Sequence, residues 1–207
     1  LDCYIHSVVL TAAPDLPLNL YAHSMGGTVA ALYLAQHSDD VNKAFLSAPM
    51  ICPYAGGIPR IVIWLGANRY LRKLGAMTHF PYSGHFDPNA DFHVSSDASR
   101  ARFTYYLNMR IRHRSYQTSG ATNQWMVEVA KLQKKLLNKK FAKQITADVC
   151  LVSCQNDRVV RTPQQHRFAA LLPHGSLVVV SNAAHSLYTS TGEQLQKFYD
   201  CLFDFFR

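Results

Sequence analysis

The chain has 207 residues, 48% of them hydrophobic and 16% charged, a balance that supports a folded core and excludes an intrinsically disordered polypeptide. No run of about 18 apolar residues offers a membrane-spanning helix, and the five cysteines, Cys3, Cys52, Cys150, Cys154 and Cys201, lack the spacing of a disulfide framework or a zinc site. The formal charge of +8 is concentrated between Arg100 and Lys143, where five arginines and six lysines stand against one acid, Glu128. Such a patch either attracts phosphates, on nucleic acid or on lipid headgroups, or is a solvated face that aids solubility.

Tyr4, Ile5, Val8 and Val9 recur at helical spacing, so residues 1–9 read as the end of a helix, and Pro14 to Pro17 break the chain after it. A strand-like run, Leu18 to Ala22, then enters Ala22-His23-Ser24-Met25-Gly26-Gly27, and a helical run, Thr28 to His37, leaves it. A serine on so tight a strand-to-helix turn is a nucleophile elbow. Its crowded backbone requires small residues two before and two after the serine, which Ala22 and Gly26 supply. The turn lifts the Ser24 hydroxyl clear of the sheet and aims the Met25 N–H at a developing oxyanion. Asp39 and Asp40 open the next turn, and Lys43 to Pro49 reads as a short buried strand, so strand, helix and strand imply a parallel sheet.

From Met50 to about Ala142, Pro53, Gly56, Gly57, Pro59, Gly75, Pro81, Gly84 and Pro88 punctuate an aromatic-rich stretch that reads as an inserted helical cap. Its clearest helix is expected over Trp125 to Phe141, with Trp125, Val129, Leu132, Leu136 and Leu137 on one stripe that packs within the cap or rests on a bilayer interface. Sheet patterning returns at Ile145. Val149 to Ser153 is a buried strand in which Cys150 and Cys154 act as small apolar residues, a usage that favours a reducing compartment. A loop holding Asp157 follows, and Thr162-Pro163 starts a helix expected to end near Gly175. Leu177 to Val180 forms the next strand, Ser181 to Ala184 the loop that delivers His185, and Thr191 with Gln194 a capping box for a last helix whose Leu195, Phe198, Leu202 and Phe206 face the sheet. The expected fold class is α/β, a mostly parallel sheet with an inserted helical cap: residues 1–50 as core with the elbow, 51–142 as cap, and 143–207 as core with the acid and histidine loops.

A serine hydroxyl is a weak nucleophile near neutral pH and needs an imidazole to take its proton and a carboxylate to orient that imidazole. Among ten histidines, His185 follows the last strand, where a parallel sheet presents groups at its carboxyl edge, and Asp157 follows the strand before it. The order Ser24, Asp157, His185 is that of nucleophile, acid and base in α/β-hydrolases. His23 is expected to point to the other side of the elbow as a structural residue. His79, His85 and His93 have no metal-ligand spacing, Asp148 sits at the wrong end of its strand, and Asp91 and Asp97 belong to the cap. The residues imply neither a metal nor a cofactor.

The elbow LYAHSMGG, the acid loop NDRVVRTPQQHRF, the turn NAAHSLY and the ending FDFFR resemble the α/β-hydrolases of the monoglyceride lipase and serine aminopeptidase-like family, within it the bacterial lysophospholipases of the L-two type. The Arg-rich stretch Ser96 to Phe103 and the Gly120 to Trp125 segment resemble cap features of that group. The resemblance implies a serine carboxylic-ester hydrolase that releases a fatty acid from a lysophospholipid, with Arg100, Arg102 and Arg110 holding the headgroup and peripheral contact with an anionic membrane. With the cysteine usage, the expected location is cytoplasmic, at most peripheral to the inner membrane, and no nucleic acid is expected as partner because the cap lacks a recognisable nucleic-acid motif. Monoacylglycerol, a simple ester or a peptide amide are alternative substrates, and a noncatalytic binder of lipid or nucleic acid is the alternative of another class. In the family, several strands and a His-Gly-type loop with a second oxyanion N–H come before the region that opens this sequence. The chain is therefore expected to be an N-terminally truncated piece, weak or inactive alone.

Overall fold

A computed structural model describes residues 1–54, 58–80, 84–92, 99–118 and 120–207. Four strands, β1 (Asn19–His23), β2 (Lys43–Ser47), β3 (Asp148–Cys154) and β4 (Gly175–Val180), form one sheet in the order β1-β2-β3-β4 with every pairing parallel. In a parallel sheet covered on both faces, successive side chains enter two different cores, and the strands read as continuous apolar runs. Ala44 and Leu46 of β2 with Val149 and Leu151 of β3 enter one core, while Phe45, Cys150, Val152 and Cys154 enter the other. This is the α/β arrangement that the sequence pattern leads one to expect.

The first core is closed by α3 (Met25–His37), by Phe168 and Ala169 of α8 (Thr162–Ala169) and by Leu136 to Ala147. The second is closed by α9 (Gly192–Phe206), which lays Phe198, Cys201, Leu202, Phe205 and Phe206 across Phe45 and Val180. Phe198 is buried with its ring 5.9 Å from that of Phe45, the face expected of this helix. The Thr191 side chain makes no capping hydrogen bond, however, so the capping-box spacing does not produce the bond.

Ahead of β1, α1 (Asp2–Tyr4), a π-helical turn (Ile5–Val9) and α2 (Leu10–Ala12) form one helical segment, longer than the periodicity implies. Between β2 and β3 lie α4 (Arg60–Leu74), α5 (Arg100–Arg112), α6 (Asn123–Leu136) and α7 (Lys139–Ala142). The helix expected over Trp125 to Phe141 is thus two helices. The Leu137 N–H makes the last bond of the α6 ladder, to the Gln133 carbonyl; Asn138 is extended, and its side chain accepts from the Lys140 N–H, starting α7 afresh. Likewise α8 stops at Ala169, short of Gly175, because Gly175 already belongs to β4 and a Cβ there would lie 2.5 Å from the Ala169 carbonyl oxygen. Cys52, Cys150 and Cys154 are buried, whereas Cys3 is exposed and Cys201 half-buried. Among the described residues no helix is long and apolar enough to cross a membrane.

Candidate functional site

The carboxyl ends of β1, β3 and β4 deliver three side chains to one edge of the sheet. Directly after β1, Ser24 has φ 51° and ψ −120°, a conformation that costs a non-glycine residue about 1–3 kcal/mol. Three hydrogen bonds hold it there. The Ser24 N–H donates to the Ser47 carbonyl at 3.0 Å, and the Ser24 carbonyl accepts from Gly27 at 2.9 Å and from Met50 at 2.8 Å. The turn is therefore tied both to α3 and to the chain leaving β2, and the Thr28 hydroxyl reinforces it by donating to the Met50 carbonyl at 2.6 Å.

After β3, the Asp157 side chain is completely buried and its two oxygens have separate tasks. Oδ1 accepts from the N–H groups of Val159 and Val160 at 2.8 and 2.9 Å, which fixes the loop, and Oδ2 lies 2.7 Å from His185 Nδ1. After β4, the loop through Asn182, whose φ is 53°, carries the buried His185. The loop is held to its neighbour by the Asn156 N–H on the Ala183 carbonyl at 3.0 Å. His185 Nε2 is 2.8 Å from Ser24 Oγ. A carboxylate only accepts, so a neutral His185 carries its proton on Nδ1 and offers Nε2 as acceptor to the Ser24 hydroxyl. That arrangement can draw a proton from the hydroxyl as a bond forms to a carbonyl carbon. Met25 opens α3, where its N–H has no intrahelical acceptor and lies at the positive end of the helix dipole.

His23 departs from its expected position. Its ring centroid is 4.9 Å from that of His185, and its Nδ1 is 3.4 Å from Ser47 Oγ, so it stands beside the site and not on the far side of the elbow. Burial, with His185 adding to it and a hydrogen bond to Ser47 opposing it, lowers the His23 pKa to about 4. A neutral ring is thereby packed against His185. The glycines also divide differently from the motif. A Cβ on Gly26 would meet the Ala22 Cβ at 4.0 Å, ordinary contact, whereas one on Gly27 would meet the Pro49 Cβ at 2.5 Å and its Cα at 2.9 Å. Gly27 is the residue that close backbone packing demands, and only the fold, by bringing Pro49 over α3, reveals it.

The three arginines lie on or beside α5 in different surroundings. Arg102 donates through Nη1 to the Ser190 carbonyl, next to the histidine loop. Arg110 donates to the carbonyls of Tyr116 and Thr118, each at 3.2 Å, and sits 4.7 Å over the Phe86 ring. Arg100 is exposed and lies 5.0 Å over the Phe92 ring. His79 and His85 pack ring against ring at 4.8 Å, Asp148 opens β3 exposed at the opposite sheet edge, and Asp91 is exposed. His93, Asp97 and the Ser96 to Ala98 part of the Arg-rich stretch lie outside the described residues, as do Gly56, Gly57 and Pro81. A contact with no sequence signal is that of Trp125, whose indole N–H points to the Met25 sulfur at 3.5 Å, and Trp125 also packs on Met50, Val129 and Val160. An apolar wall from α6 thus stands beside Ser24.

A family model described as serine aminopeptidase, S33, matches residues 1–191. A Haemophilus influenzae protein named as a probable lysophospholipase L2 is 22% identical over 178 residues, covering 82% of this chain and 53% of the relative. The chain therefore spans about half the length of the curated relative it matches. Among solved structures, the monoacylglycerol lipase of Paleococcus ferrophilus is 17% identical with a TM-score of 0.70, over 97% of this chain and 71% of that one. A soluble variant of the monoglyceride lipase of Saccharomyces cerevisiae is 15% identical with a TM-score of 0.67, over 96% and 67%. A carboxyl esterase from Bacillus coagulans is 13% identical with a TM-score of 0.67, over 96% and 66%. These structural likenesses concern the fold.

Proposed function

Because the chain belongs to the serine aminopeptidase S33 family, we propose that it carries the catalytic centre of a serine carboxylic-ester hydrolase acting on a single-chain lipid, with a lysophospholipid as the preferred substrate. The observation that carries this reading is His185 bridging Ser24 Oγ at 2.8 Å and Asp157 Oδ2 at 2.7 Å. Ser24 Oγ attacks the acyl carbonyl while Nε2 of His185 takes its proton, and Asp157 holds the imidazole and balances the charge it acquires. The Met25 N–H stabilises the tetrahedral oxyanion. His185 returns the proton to the departing glycerol oxygen, leaving an acyl-serine, and a water activated by the same imidazole then releases the fatty acid.

The helices between β2 and β3, residues 51–142, serve in this reading as a cap over the reacting edge, and the exposed Met25 with the partly buried Trp125 beside it is the apolar surface that an acyl chain meets. Arg100, Arg102 and Arg110 of α5 are in this reading the cations that meet a phosphate; peripheral contact with an anionic membrane would draw on the same charge. One observation favours a second substrate. Arg102 and Arg110 already donate to this chain's own carbonyls, which suits a neutral monoacylglycerol as well as a charged headgroup.

The test is ester turnover by the full-length protein. Ser24→Ala should lower it by roughly 10⁶-fold with the fold intact, and full retained activity would end the proposal. Rates on lysophosphatidylcholine and monoacylglycerol decide the substrate: a preference for the former that disappears when Arg100, Arg102 and Arg110 are changed together to Gln assigns the headgroup, and a preference for the latter selects the second reading.

A further inference from the structure

The far end of α3 from Ser24 holds a second group of ionisable side chains. Asp2 and His6 lie four residues apart on the first helical segment, with His6 inside the π-helical turn Ile5–Val9, a widened backbone frequent at functional sites. His37 is the last residue of α3, and Asp40 follows in the 3₁₀ turn Ser38–Asp40. Asp2 Oδ1 is 3.1 Å from His6 Nε2 and 3.4 Å from His37 Nε2, and the three ligand atoms lie within 4.8 Å of one another. A tetrahedral zinc ion with ligands about 2.0–2.1 Å away has edges of about 3.3–3.4 Å between them. Two of the three edges are already near that length, and rotation of the exposed His6 ring closes the third.

A carboxylate also stands near the other ring nitrogen of His37. His37 Nδ1 faces Asp40 Oδ2 at 3.4 Å, and the Tyr33 hydroxyl donates to the same oxygen at 3.1 Å while its ring stacks on His37 at 4.8 Å. A ligating histidine characteristically gives its other N–H to a carboxylate, which fixes ring orientation and tautomer. His6 Nε2 also faces a second carboxylate oxygen, Asp40 Oδ2 at 3.3 Å.

We propose that Asp2, His6 and His37 bind a divalent transition-metal ion of the zinc class, with Asp40 supporting His37 and a fourth position open to water from the cleft lined by Leu1, Val29 and Leu32. Two imidazoles and one carboxylate are a donor set suited to zinc. The ion fastens the first helical segment to α3, whose 13 residues set it about 20 Å from Ser24. Its role is therefore to brace the helix that carries the elbow, not to take part in ester cleavage.

The experiment is titration of the full-length protein with Zn²⁺ alone against a chromophoric chelator. One ion per chain is expected, with affinity at least 100-fold lower in His37→Gln and 10–100-fold lower in Asp40→Asn, while the exposed His113→Gln leaves it unchanged. Absence of stoichiometric binding, or equal affinity in the His6→Gln/His37→Gln double variant, overturns the site. Zinc-edge X-ray absorption of the wild-type protein gives a readout that needs no variant to fold: two imidazoles and oxygen near 2.0 Å support the assignment, and an all-oxygen shell contradicts it.

Discussion

The sheet half of the molecule and the helices between β2 and β3 solve different problems. At the sheet edge the Ser24 backbone makes three hydrogen bonds, the Asp157 carboxylate is fully buried, and the Phe45, Leu46, Leu151 and Val152 side chains around the strands are at most 1% exposed. In the helical region α5 buries no residue, and Ile61, Val62 and Leu65 of α4 are all more than half exposed. Catalytic geometry needs atoms held within a fraction of an ångström, and dense packing with satisfied backbone groups provides that. The acyl chain of the proposed substrate needs apolar surface that water can leave, and the exposed apolar side chains of α4 offer it. In the proposed function the chemistry falls to the rigid half and the choice of substrate to the loose one.

The largest effect separating the halves is expected at Asp157. Asp157→Asn keeps an oxygen for the Val159 and Val160 N–H groups but turns an amide toward His185, so kcat should fall about 10⁴-fold while the thermal midpoint moves little. A fall of less than tenfold in steady-state turnover would deny Asp157 its orienting role. Next is Gly27→Ala, whose methyl must displace Pro49: a loss of about 1–3 kcal/mol in urea unfolding is expected. Gly26→Ala, with its nearest contact at 4.0 Å, should cost far less, and equal losses would mean that the packing of α3 on Pro49 is not the constraint.

A pH effect of intermediate size belongs to His23. Its folded pKa of about 4 lies below the ordinary imidazole value of 6.5, so between those values the unfolded chain binds the extra proton. Stability should therefore fall as pH drops from about 6.5 to about 4, by no more than about 1 kcal/mol per pH unit from this residue. His23→Gln should flatten that slope in denaturation curves taken across the window. The smallest effect is in the helical region: a Cβ on Gly66, inside α4, meets nothing within 4 Å, so Gly66→Ala should stabilise by about 0.5–1 kcal/mol without changing kcat. A loss of stability there would show α4 to be packed more tightly than its exposure indicates.

What the sequence discloses follows the same division. Strands β2 and β3 stand out because buried parallel strands are largely apolar runs, and Ser24, Asp157 and His185 stand out because they lie just beyond the carboxyl ends of β1, β3 and β4. α4 is hidden behind Gly66 and flanking Pro59 and Gly75, which break local periodicity while α6 packs against it. Side-chain relations across long separations leave no local trace. His23 meets His185, Gly27 meets Pro49, and Asp2 meets His37 only after the sheet has registered β1 on β2 and laid α3 across it. The break at Leu137-Asn138 was written in the sequence as an asparagine able to cap, but the apolar stripe running through it outweighs that signal.

The central claim is that His185, held by Asp157, activates Ser24. It is tested most directly by reacting the folded full-length protein with a fluorophosphonate and locating the adduct by mass spectrometry. The account predicts a single adduct on Ser24, formed at neutral pH and lost in His185→Ala. An unlabelled Ser24, or labelling that proceeds equally well without the imidazole, would contradict it.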